Sequence, residues 1–127
     1  MRELFVMDLK NYDPNGTVGR RPSVRGILIK DGRIAMMHSC RYDYYKLPGG
    51  GIEPGESLEE TLVREVQEES GLVVKKDTIQ EFGYVKRIEK GKSDPIFIQE
   101  NFYFVCEAEE ELGQRNLDDY EAFEEFT

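Results

Sequence analysis

No stretch of the 127-residue chain is apolar for long enough to cross a bilayer, which excludes a membrane-spanning helix. The first ten residues mix Arg2, Glu3, Asp8 and Lys10 with apolar ones. They lack the uninterrupted apolar core of a secretory signal, so the cytoplasm is the expected compartment and no membrane partner is expected. Positive charge is scarce. At a net charge of −9 the average surface repels a polyanion, and duplex nucleic acid is not an expected partner. An acidic protein still binds phosphates where a metal ion or a local basic patch reverses the field. Cysteine is scarce too. Cys40 and Cys106 lie far apart and outside any CxxC or Cys/His spacing, and the expectation is two reduced, buried thiols. The one histidine, His38, has no titrating partner near it in sequence and reads as structural. There is no internal repeat and no low-complexity linker. The length is that of one domain, expected to span residues 1–127.

Met1 to Asp8 reads as a strand, and Asn11 to Gly16 as a loop of turn formers. Val24 to Lys30 and Arg33 to His38, joined by Asp31-Gly32, predict a hairpin. Arg41 to Lys46 reads as an aromatic loop. Leu47-Pro48-Gly49-Gly50-Gly51 bars regular helix. Ser57 with Glu60 three residues on is a capping box. Leu58, Leu62 and Val66 follow at helical spacing, and Gly71 stops the run. The spacing therefore predicts a helix over Ser57 to Ser70. Strand-like runs follow at Glu81 to Ile88 and Ile96 to Glu107, separated by a loop over Gly91 to Pro95. The tail from Glu109 is acidic, with Tyr120, Phe123 and Phe126 as candidate anchors. Strands around one clear helix imply α/β or α+β architecture.

The chemistry concentrates on that helix. Glu65, Glu68 and Glu69 are spaced i, i+3, i+4, an arc of roughly 100°. Unpaired, such carboxylates repel and their pKa values rise. A divalent cation removes the repulsion, and hard oxygen ligands suit Mg²⁺ or Mn²⁺ over zinc. Arg64 is placed to clamp the glutamates. The glycines at 49–51 bring backbone carbonyls close to the helix, and Glu56 sits just before it, where its charge suits the dipole. A bare Glu-rich helix would ordinarily be a solvated face; the surrounding pattern argues otherwise.

That pattern resembles the Nudix box: Gly, five residues, Glu, seven residues, then Arg-Glu-apolar-any-Glu-Glu-any-Gly-apolar. Here Gly50 is followed by five residues and Glu56, and seven residues later by Arg64-Glu65-Val66-Gln67-Glu68-Glu69-Ser70-Gly71-Leu72. Chance filling of every constrained position is on the order of 10⁻⁹ to 10⁻⁸. The resemblance covers Gly50 to Leu72, with Tyr45 to Gly49 as a similar approach.

The resemblance implies an α/β fold, a Nudix α/β/α sandwich around a mixed sheet. It implies metal ligands Glu68, Glu69 and the Gly49 carbonyl, with Glu65 as a base or further ligand. Arg64 would pair with the carboxylates and Glu56 would support the catalytic group. The implied reaction is metal-dependent cleavage of a diphosphate linkage in a small nucleotide-like substrate. A non-catalytic nucleotide sensor or interaction module on the same fold is the alternative, and an acidic metal-buffering helix a third. Family members often use an acid outside the box; Glu100 is the first candidate here, with Glu121, Glu124 and Glu125 behind it. Members also usually continue into a further strand and a C-terminal helix. This chain stops at Thr127, so the expectation is a truncated form or a covering layer from elsewhere, such as a homodimer.

Three further groups stand out. Arg20, Arg21 and Arg25 either receive substrate phosphates or offset the acidic surface. Arg25 is the one carried forward as a substrate ligand. Lys86, Arg87, Lys90 and Lys92 pose the same choice. Tyr42, Tyr44 and Tyr45 either stack a base or pack the loop on the core, and Tyr45 is the candidate retained.

Overall fold

The computed structural model describes residues 1–30, 32–91 and 95–112, the last two for their backbone alone. Its strands are β1 (Glu3–Asp8), β2 (Val18–Lys30), β3 (Arg33–Ile34), β4 (Met37–Ser39), β5 (Tyr44–Lys46), β6 (Gly49–Gly51), β7 (Leu72–Val74), β8 (Gln80–Glu89), β9 (Ile96–Cys106) and β10 (Ala108–Leu112). One α-helix, α1 (Leu58–Ser70), and a short 3₁₀ turn at Lys76–Thr78 complete the described elements.

The helix forms where the sequence places it. Ser57 Oγ accepts from the Glu60 N–H at 3.1 Å, and Glu60 Oε1 accepts from the Ser57 N–H at 3.2 Å. Both halves of the capping box satisfy donors that the first turn leaves open. Gly71, at φ +79°, ends the helix and donates to the Gln67 carbonyl at 2.8 Å. Leu62 and Val66 are fully buried and meet Val24, Leu28 and Phe104 of the sheet. Glu65 and Glu69 therefore lie along the margin of that contact.

The main sheet is mixed, in the order β1-β8-β9-β2-β3, with β6 also paired to β2. β1 runs parallel to β8, β8 antiparallel to β9, and β9 parallel to β2. β10 with β7, and β4 with β5, form two small ladders. A mixed sheet carrying one described helix agrees with the expected α/β architecture.

Three expectations are corrected. β2 begins at Val18 and not Val24, because the whole of Val18 to Leu28 pairs with β9. Pro22 is accommodated beyond the three-residue pairing with β6, which starts at Ser23. Arg33 to His38 is two strands. β3 pairs with β2, and the chain then leaves so that Met37 is buried and β4 pairs with β5. The aromatic loop contains β5, whose alternation buries its side chains unequally, with Tyr45 outward. The Asp31 turn position, Lys92 and the residues Tyr120, Glu121, Phe123, Glu124, Glu125 and Phe126 lie outside the described residues. No described helix is long and apolar enough to cross a membrane.

Candidate active site

Strand β6 brings the glycines against the helix. Gly49 sits at φ +153°, and a Cβ there would fall 2.0 Å from the Val24 carbonyl oxygen. A Cβ on Gly50 would fall 2.4 Å from Glu65 Oε2. At Gly49 the clash is with backbone and cannot be relieved, whereas at Gly50 a Cβ would displace the Glu65 carboxylate. Gly49→Ala is expected to lower stability by about 3 kcal/mol, combining backbone strain with a clash that no rotamer relieves. Urea unfolding checks this, and an unchanged midpoint would remove the close-packing argument.

Arg64 gathers the carboxylates on one side of the helix. Its Nε donates to Glu56 Oε2 at 2.7 Å and Nη2 to Glu56 Oε1 at 2.8 Å, a two-pronged pair. Nη1 donates to Glu65 Oε1 at 2.7 Å and to Glu68 Oε2 at 3.2 Å. Nη2 also reaches the Gly51 carbonyl at 3.3 Å, tying helix to strand. The Arg64 guanidinium, with the Glu53 N–H, holds the Glu56 carboxyl down at about 2, and the same contacts push the Arg64 pKa upward. A carboxyl lowered from 4.5 stabilises the fold fully above 4.5 and loses that contribution as pH falls through about 2. In chelator, the melting temperature gap between wild type and Glu56→Gln should therefore be widest near neutral pH and close between pH 4.5 and 2. A gap independent of pH would refute the pairing.

Glu69 turns the other way. Its side chain is 1% exposed. Oε2 accepts from the Gly49 N–H at 3.3 Å, and Oε1 forms an ion pair with Lys46 Nζ at 3.4 Å that falls outside hydrogen-bond geometry.

Glu65 and Glu69 line one wall of a cavity of about 320 Å³, with Gly49, Gly50 and Gly51 beside them. Arg21, Arg25, Lys46, Ser23 and Gln99 line the rest. Strand register explains this set. Arg21, Ser23 and Arg25 alternate along one face of β2, and their partners on β9 are Gln99, Asn101 and Tyr103. Arg25 Nη1 also donates to the Leu47 and Gly49 carbonyls at 3.3 and 3.2 Å, so it braces the glycine turn as well as facing the cavity. A larger hollow of about 480 Å³ lies on the outer side of the helix, lined by Glu56, Arg64, Glu68 and Lys76 among others. No residue of the glycine strand lines it, whereas the smaller cavity combines carboxylates, glycine backbone and cationic side chains.

Of the site residues expected from the sequence, Glu65, Glu69, Gly49 and Arg25 thus come together. Arg64 links them to Glu56 and Glu68, which line the outer hollow. Glu100 does not join them. It points to the opposite face of β9 from Gln99 and Asn101, and pairs with Arg20 at 3.7 Å. Arg87 pairs with Glu89 at 2.9 Å and stands opposite Gln99 in the β8–β9 ladder, without lining the cavity itself. Tyr45 lines an adjoining hollow. Arg21 stood out only as part of a cluster, and its i, i+4 relation to Arg25 along a strand was the signal that both share a face. Gln99, Asn101 and Tyr103 carry no signal in the sequence, and only the pairing of β9 with β2 reveals them; Lys46, on β5, is brought in by its ion pair with Glu69. Cys40 is exposed, contrary to expectation, because it sits in the turn between β4 and β5; Cys106 is buried, and burial pushes its thiol up to about 11.

For a divalent cation the donor types fit: carboxylate oxygens, with a glycine cradle that a Cβ would fill. Among the described residues no three His, Cys, Asp or Glu side chains are gathered as ligands, since Arg64 and Lys46 now hold the carboxylates.

A glutamate helix, a glycine strand and facing cations thus meet on one mixed sheet. The Nudix domain matches residues 19–127, and this chain belongs to the Nudix family. An RNA pyrophosphohydrolase of Acinetobacter baylyi is 33% identical over 119 residues, covering 85% of this chain and 72% of that protein. An ADP-ribose pyrophosphatase of Methanocaldococcus jannaschii is 41% identical over 56 residues, covering 42% of this chain and only 33% of that relative's length. Among solved structures, the MutT protein of Bacillus halodurans is similar with a TM-score of 0.62 and 25% identity, over 72% of this chain and 60% of that one.

Proposed function

We propose that the chain is a metal-dependent pyrophosphohydrolase of a small nucleotide-like substrate. The observation that carries the reading is one cavity with Glu65 and Glu69 on one wall and Arg21, Arg25 and Lys46 on the others. A cavity of about 320 Å³ that carries carboxylates and cationic side chains together suits a metal-bound diphosphate, with Lys46 and Glu69 already in contact at 3.4 Å. Glu65, Glu68, Glu69 and the Gly49 carbonyl would hold Mg²⁺ or Mn²⁺. The cation supplies neutralisation of diphosphate charge and acidification of water.

The chain's own groups do the rest. Arg21 and Lys46 neutralise the phosphate oxygens and hold them in line, and Arg25 fixes the glycine turn beneath them. Glu65 Oε2, facing Gly50, accepts the proton of the attacking water. Arg64 holds the Glu65 carboxylate through its contact to Oε1 at 2.7 Å. The test is phosphate release from nucleoside triphosphates, nucleotide sugars and dinucleoside polyphosphates, with Mg²⁺, with Mn²⁺ and with chelator. Metal-dependent turnover of one class supports the reading. Silence across the panel in folded, metal-binding protein would favour a sensor.

Phe5, Val6, Met7 and Leu9, in and just after β1, are exposed, which supports the homodimer as a further proposal. Light scattering at micromolar concentration tests it, and a monomeric mass would count against it. The cytoplasm stays the proposed compartment.

A further inference from the structure

The oxygens proposed for a divalent cation are already met by the chain's own cations. Arg64 Nη1 donates to Glu65 Oε1 at 2.7 Å, and Arg25 Nη1 donates to the Gly49 carbonyl at 3.2 Å. Lys46 Nζ stands 3.4 Å from Glu69 Oε1.

The three are held differently. Arg64 is tied to Glu56 by two further hydrogen bonds, and Arg25 to the Leu47 carbonyl at 3.3 Å. Each is a planar fork whose other donors fix it in place. Lys46 is a point charge on a flexible four-carbon stem. The stem leaves the end of β5, where Lys46 stands opposite Met37 in the β4–β5 ladder. It lines the cavity and also an adjoining hollow of about 380 Å³. The ammonium can therefore swing while the strand stays fixed.

Glu69 needs a positive charge beside it. Its side chain is 1% exposed, and a carboxylate withdrawn from water is costly unless a cation faces it. Lys46 supplies that charge and is itself 20% exposed. A divalent cation on Glu69 would have to share the carboxylate with the ammonium, and like charges in one shielded site repel. The ammonium gains a new partner only if an anion enters the same cavity, and a diphosphate is such an anion.

We propose that Lys46 is an internal counter-ion that competes with the divalent cation for Glu69 and turns to the phosphate oxygens of the substrate when the cation takes its place. Lys46 thereby lowers the affinity for metal alone and couples metal binding to diphosphate binding. The proposal rests on the reading of the cavity as the metal and diphosphate site.

The experiment is a titration with Mn²⁺ alone, followed by electron paramagnetic resonance of the free ion, and repeated in saturating methylenediphosphonate. Lys46→Met should bind Mn²⁺ about tenfold more tightly than wild type, because the competing charge is gone. Lys46→Arg keeps the charge and should bind no more tightly than wild type. Lys46→Gln, whose amide can still donate to Glu69, should fall between Lys46→Met and wild type, and it carries the test if the Met variant does not fold. Methylenediphosphonate should raise the Mn²⁺ affinity of wild type by a several-fold larger factor than that of the neutral variants. A merely structural role for Lys46 would give the opposite sign, with weaker Mn²⁺ binding once the contact is lost. If the neutral variants bind Mn²⁺ no more tightly than wild type, or if methylenediphosphonate acts on them and on wild type alike, the role of Lys46 is overturned and the metal and diphosphate site stands. If folded wild type does not bind Mn²⁺, both readings fail together.

Discussion

Glu69→Gln is expected to lower turnover by about three orders of magnitude, a loss of about 4 kcal/mol of transition-state stabilisation. The reason is position. The Glu69 carboxylate is 1% exposed, faces Lys46 at 3.4 Å and accepts from the Gly49 N–H at 3.3 Å. It is the buried negative charge of the proposed diphosphate cavity, and a neutral amide of the same shape keeps the acceptor for Gly49 while giving up the ligand. The folded state should survive, with circular dichroism unchanged. Glu68→Gln should also lower turnover, but its side chain is 36% exposed and shares Arg64 with two other carboxylates, so its melting temperature should barely move. Steady-state kinetics on the best substrate of the panel checks both. Near-normal turnover of Glu69→Gln would break the metal assignment.

Arg64→Ala is expected to have the largest effect on stability among the charged residues. Arg64 is 24% exposed and is the shared partner of Glu56, Glu65 and Glu68. Its removal leaves three carboxylates crowded at one helix margin and cuts the tie to the Gly51 carbonyl. A destabilisation of about 2–3 kcal/mol follows, less than for a fully buried pair because water reaches the group. For a domain of this size that is a fall of roughly 10 °C in melting temperature. The sign of the metal effect is the sharper part. In chelator the full loss should appear, and Mg²⁺ should restore more of it in the variant than it adds to wild type, because a cation takes over the neutralising role. Thermal melts with and without Mg²⁺ measure this. A variant as stable as wild type in chelator would show that the Arg64 contacts contribute nothing.

The helix and its glutamates were legible because their determinants are local. A capping box, a stop glycine and three carboxylates at helical spacing sit within sixteen residues, and no distant contact alters them. The Nudix box extends that legibility to Gly49 and Arg64, since it fixes the spacing between strand and helix. Strand pairing was not legible. The join of β2 to β9 crosses some eighty residues, and nothing in Ile96 to Cys106 announces that Gln99, Asn101 and Tyr103 lie beside Arg21, Ser23 and Arg25. Glu100 illustrates the same limit. A carboxylate on a strand is one residue from either face, and a shift of one residue decides whether it meets the cavity or pairs with Arg20. The aromatic loop was ambiguous for a different reason. Its three tyrosines suit packing or stacking equally, and only the ladder with His38 separates Tyr45 from its neighbours.

The most direct test of the central claim is a phosphorus NMR time course on wild-type protein with the nucleotide substrate that the panel identifies. Chelator is added midway, followed by excess Mg²⁺. The account predicts that the diphosphate resonances convert to phosphate monoester products, that conversion stops with chelator, and that it resumes with Mg²⁺. Conversion that continues at the same rate in chelator would contradict it.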